Sequence, residues 1–174
     1  MLALVKDLYD ASSENRHFLH ARFQAEESVG AALEVYRRKI VEQFFPARGD
    51  GKLKLSEARK AIRDYRKATG NIAGTIDLLL TYLENGTEFT EQFGDIDEPF
   101  YNSLESAAEE MKALIFKQEP ECYQRFRERV VRLERMVGRI GWGYGDYLGD
   151  LVCVLESQFG DQPEPSRSSD NAAR

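Results

Sequence analysis

The sequence predicts an all-α fold, a single-domain bundle or irregular α-solenoid of about eight helices. Three observations predict it. Apolar residues recur at three- and four-residue spacing along most of the chain. No alternating apolar run extends beyond three or four positions, so no strand pattern competes. Short Gly, Pro and Asn-Gly punctuations divide the chain into helix-length segments. With 174 residues there is enough chain for one core and too little for two.

A short helix over 2–10 comes first, and Ser12-Ser13-Glu14 supplies an N-terminal signal for a second reaching about residue 24. The next, over 27–45, places Leu33, Tyr36, Ile40, Val41 and Phe44 on one face before Pro46 and Arg48-Gly49-Asp50-Gly51 end it. Ser56 is read as the cap of a helix to Thr69, closed by Gly70. Its inner stripe is Leu55, Ala58, Ile62 and Tyr65, with Arg59, Arg63, Arg66 and Lys67 opposite. Residues 72–84 are apolar almost all round, which predicts the most enclosed helix, and Asn85-Gly86 is read as its stop.

A short helix over 87–93 then leads to the acidic turn Gly94-Asp95-Ile96-Asp97-Glu98-Pro99. That turn opens a helix over 99–117 with Phe100, Leu104, Ala107, Ala108, Met111, Leu114 and Ile115 in step. A helix over 121–137 carries Phe126, Val130, Leu133 and Val137 inside and its arginines largely outside. The glycine-rich turn 138–145 precedes the last helix, over 146–159. Residues 160–174 hold two prolines and a polar end without an apolar anchor, so the expected organisation is a helical domain over 1–159 and a disordered tail over 160–174.

Composition limits function. A net charge of −6 argues against whole-molecule affinity for nucleic acid. Cys122 and Cys153 stand apart, without a metal-type pair or a disulfide framework, as in reduced cytosolic proteins. Charge at Lys6 and Asp7 comes too early for a secretory signal, and Ile76 to Leu83 is far short of a membrane span. A cytoplasmic location follows as the expectation, with no membrane partner.

No cofactor, no metal and no catalytic residue is expected. Gly141-Trp142-Gly143-Tyr144-Gly145-Asp146 matches neither a dinucleotide fingerprint nor a P-loop. It reads as a tight turn with Trp142 plugging the core and Asp146 capping the next helix; the alternative is a contact site on which Trp142 or Tyr144 stacks. Asp95, Asp97, Glu98, Asp146 and Asp150 would bind a cation only if they faced one another, and capping and helix-dipole compensation explain Asp97, Glu98 and Asp146 without it. Glu14-Asn15-Arg16-His17 has the di-iron spacing, but His17 and His20 are the only histidines and the second copy is missing.

Charge segregation remains. Residues 37–67 carry eleven bases against Glu42, Asp50, Glu57 and Asp64, a net of +7, while 68–122 carry twelve acids against Lys112 and Lys117, a net of −10. Such blocks shape the field a partner meets. The phrases Lys54-Leu-Ser-Glu-Ala-Arg-Lys-Ala-Ile-Arg-Asp-Tyr-Arg-Lys-Ala-Thr69, Phe93-Gly-Asp-Ile-Asp-Glu-Pro-Phe-Tyr-Asn-Ser-Leu-Glu-Ser106 and Ile140-Gly-Trp-Gly-Tyr-Gly-Asp146 resemble a family of small helical prokaryotic proteins of unknown function. The resemblance spans about 33–156 and implies a bacterial source and a helical fold, but no activity.

The leading expectation is a non-enzymatic module that binds a protein partner, or a second copy, through charge-complementary helix faces. The alternative is a helical protein that contacts RNA or DNA phosphates through the basic helix; a metal-dependent hydrolase built on the acidic turns is third. The expected contact residues are Arg59, Lys60, Arg63, Arg66, Lys67, Asp95, Asp97, Tyr101, Trp142, Tyr144 and Asp146. If their turns converge at one end of the bundle, they form a groove with basic walls from 59–67 and acidic walls from 95–98 and 146.

Overall fold

The computed structural model describes Lys6 and residues 9–16, 26–137 and 143–160. The expectations for His17, His20, Trp142 and the segment 161–174 lie outside the described residues. Six helices carry the fold: α1 (Glu26–Phe44), α2 (Leu55–Thr69), α3 (Ile72–Phe93), α4 (Glu98–Ile115), α5 (Pro120–Met136) and α6 (Tyr144–Phe159). Shorter helical stretches occupy 9–11 and 13–16, and no strand occurs among the described residues. No helix among these residues is long and apolar enough to cross a membrane.

The all-α prediction holds, and the bundle is the form realised. Helix α3 is the axis: α1, α2, α4 and α5 all pack on it, while α6 packs on α4 and α5. A solenoid would have confined most contacts to chain neighbours. Apolar periodicity explains the arrangement, because Ala32, Tyr36, Ile40 and Phe44 recur every fourth residue of α1 and all are buried. In α3, Ile76, Leu78, Leu79, Leu80, Tyr82 and Leu83 are fully enclosed, as a helix apolar on every side requires.

Three boundaries differ from the sequence reading. Helix α3 does not stop at Asn85-Gly86 but continues to Phe93, absorbing the separate helix expected over 87–93. Gly86 is there for packing: a Cβ at this position would lie 2.5 Å from Leu104 Cδ2 of α4. Asn85 Nδ2 donates to the Thr81 carbonyl at 2.7 Å, so the amide follows the helix rather than breaking it.

Ser56 does not cap α2. Lys54 flanks the helix and offers no side-chain cap, and Ser56 lies exposed inside the first turn. Leu53 causes this earlier start: at φ 47° its backbone is left-handed, and its N–H donates to the Gln43 carbonyl at 2.9 Å. Likewise Asp146 does not cap α6. Gly143, at φ 79°, holds that position and Asp146 falls within the first turn, where its charge still suits the helix dipole.

The ends at Gly70 and Asp97 follow the sequence reading, and the cap at Asn71 adds to it. Gly70, at φ 66°, closes α2, and Asn71 Oδ1 accepts the Gly74 N–H at 2.8 Å to open α3. Asp97 Oδ1 accepts the Phe100 N–H at 3.0 Å, with Pro99 in the first turn of α4.

Candidate functional site

The basic helix α2 divides its cations into two groups. Arg59 Nη2 donates to Glu110 Oε2 of α4 at 2.9 Å, and Arg66 Nη1 reaches the other oxygen of the same carboxylate at 3.4 Å. Arg59 also lies over the Tyr82 ring, 5.9 Å from its centroid, and its side chain is only 17% exposed. The expectation that Arg59 faces solvent is therefore corrected. The helix turns this edge toward an acid of α4, which apolar spacing within α2 cannot reveal.

Along the outer edge Lys60 Nζ pairs with Asp64 at 3.1 Å, which raises the lysine pKa through the hydrogen bond and the neighbouring charge. Arg63 and Lys67, one turn apart, are exposed. Neither makes an ion pair with any described residue.

The turns at 94–101 and 143–146 converge. The Tyr101 and Tyr144 rings are 5.7 Å apart. Tyr101 Oη donates to Asp95 Oδ1 at 2.8 Å; burial, then the adjacent carboxylate, pushes the phenol up to about 12. Tyr144 Oη is 3.1 Å from Thr87 Oγ1 in a fully enclosed site, where burial raises its pKa strongly. Both rings belong to the core, so neither offers a stacking face to a ligand. Asp97 is committed to capping α4, while Asp146 is exposed beside Tyr144.

The basic helix does not join these turns. Arg59 and Arg66 meet α4 at Glu110, about 20 Å of helical rise from Asp97. Phe45, just before the loop 46–54, lies 5.9 Å from the Phe89 ring, and Phe89 stacks 4.5 Å from Phe93. Sequence reading missed Phe93. Its ring is 63% exposed, more than any other large apolar side chain described, and it sits between Glu91 and the acidic turn. Ending α3 at Asn85 had concealed that Phe93 projects from the end of the central helix.

A second arginine-rich surface is partly neutralised, with Arg125 and Arg135 exposed and in no ion pair among the described residues. Arg129 of α5 donates to Asp77 at 2.5 Å and to Glu84 at 2.7 Å, both on α3, and Arg132 reaches Glu84 at 3.1 Å. Burial lowers the Arg129 pKa, but hydrogen bonds and charge from Glu84 and Asp77 outweigh it and the net shift is upward. Asp77 also accepts from Arg37 of α1, so one carboxylate joins three helices. Arg127 clasps Glu156 of α6, whose other contact is the Tyr123 hydroxyl at 2.6 Å.

No group of three or more metal-ligating side chains is assembled among the described residues. Comparison of the chain with protein-family models, with curated proteins and with solved structures finds no match.

Proposed function

We propose that this protein is a cytosolic, non-enzymatic interaction module whose basic helix α2 docks on an acidic surface of a protein partner. One observation carries the reading. Arg59 and Arg66 are held by Glu110 and Lys60 is held by Asp64, yet Arg63 and Lys67 stand exposed with no carboxylate among the described residues. Opposite charge on a partner would steer encounter and fix register there.

Nucleic acid is the less supported ligand, since Tyr65, the aromatic of α2, is wholly buried and offers no face to a base. Affinity capture from the native lysate with wild type and the Arg63→Glu/Lys67→Glu double variant tests the reading. The expected outcome is a salt-sensitive protein partner that the variant loses. Equal recovery by both forms rules out α2 as the docking face. Retention on heparin that the variant loses, with no protein partner, moves the assignment to phosphate backbones.

A further inference from the structure

Phe93 and the cations of α2 that make no ion pair among the described residues are complementary surfaces that one molecule cannot bring together. Helix α2 runs antiparallel to α3, with Tyr65 against Gly74 at one end: a Cβ on Gly74 would overlap the Tyr65 hydroxyl. Arg63 and Lys67 flank Tyr65 in sequence and lie at that end. Phe93 is at the other, about 28 Å of helical rise beyond Gly74. It packs on Phe89, and Glu88, Glu91 and Glu98 are exposed within five residues of it in the chain. An exposed aromatic with acids close by in the chain has the make-up of an interface anchor.

From this juxtaposition we infer that the partner of α2 is a second copy of the chain, which seats its Phe93 end on the Arg63–Lys67 edge. This rests on the proposed docking role of α2 and supplies its occupant. The Phe93 ring lies against the Arg63 guanidinium and the aliphatic stem of Lys67, while Glu91 and Glu98 neutralise the two cations. Because the two patches differ, the contact is heterologous, and each added copy leaves one patch open at either end.

Sedimentation velocity over a concentration series tests it. Wild type is expected to self-associate, with the association constant falling about tenfold or more between about 0.05 M and about 0.3 M salt. Arg63→Glu/Lys67→Glu alone and Glu91→Lys/Glu98→Lys alone should each remain monomeric. Their mixture should associate, because the intact acidic end of the first meets the intact basic edge of the second. Phe93→Ser should weaken wild-type association at least about tenfold, the loss of one buried anchor. All substitutions are at exposed positions, and circular dichroism verifies that each variant is folded. A wild type that stays monomeric at every concentration overturns the inference, as does association that persists in either charge variant alone. If wild type is monomeric while the lysate capture still yields an α2-dependent partner, the docking role stands and only self-recognition falls.

Discussion

Helix α5 presents Arg127, Arg129 and Arg132 to carboxylates on two other helices and leaves Arg125 and Arg135 exposed, whereas α2 commits Arg59 and Arg66 to a single glutamate and leaves Arg63 and Lys67 exposed. By composition the two are alike, each a basic amphipathic helix. What separates them is the neighbour each meets. Helix α5 lies beside Asp77 and Glu84, the acids of an otherwise apolar stretch of α3, and beside Glu156 of α6. Helix α2 finds one acid in range on α4. An arginine-rich face is a binding surface only to the extent that its own fold has not already neutralised it.

The strongest challenge to this contrast is Arg129→Ala. It leaves Asp77 to Arg37 alone and Glu84 to Arg132 alone, each acid with a side chain only 15% exposed, and should cost about 2 kcal/mol, below the full penalty for a wholly buried pair. Urea denaturation measures it, and a loss under about 0.5 kcal/mol would place α5 with ordinary surface helices. Next is Arg59→Ala, which gives up the Glu110 bridge and the cation over Tyr82; about 1 kcal/mol is expected in the same assay.

Glu156 yields a smaller effect that depends on pH. Its pKa is lowered, first by the hydrogen bond from Arg127, against an opposing push from burial and with further help from Tyr123 and the Arg127 charge. A carboxyl with a depressed folded pKa stabilises the protein above its unfolded value, and that contribution is lost as pH falls through the folded value. Arg127→Gln should therefore lower stability near neutrality and flatten the acid limb, with the two proteins converging once pH has fallen below the usual carboxylate range. An unchanged acid limb in denaturation at stepped pH would show that the clasp contributes no linkage. Smallest of all, Arg63→Ala and Lys67→Ala should each stay within about 0.5 kcal/mol of wild type. A loss matching that of Arg129→Ala would mean that these cations are already engaged within the fold.

Much of the fold was legible because burial imprints itself on spacing. Every fourth residue of α1 and the near-continuous apolar run of α3 both pointed to their places, as did the caps at Gly70 and Asp97. Less of the candidate site could be read. Apolar periodicity within α2 specifies its inner stripe but says nothing of Glu110, fifty-one positions beyond Arg59 in the chain. Tyr144 looked available for stacking because its glycine neighbours suggest an open turn; its burial depends on Thr87 and Tyr101, which only tertiary packing brings near. Phe93 was hidden by a local signal that is sound in isolation, since Asn-Gly ordinarily ends a helix.

That signal bears on the order of folding. Glycine within a helix costs about 1 kcal/mol relative to alanine, and the stretch Asn85-Gly86-Thr87 is a poor propagator. The far half of α3 therefore becomes helical through Leu104 seating on Gly86, a contact that waits for α4 to arrive. By these propensities residues 72–84 are expected to become helical first, and the Phe93 end once the α3–α4 hairpin closes. Released from the rest of the chain, a peptide of residues 72–93 should fray beyond Asn85, the point at which its sequence read alone says the helix ends.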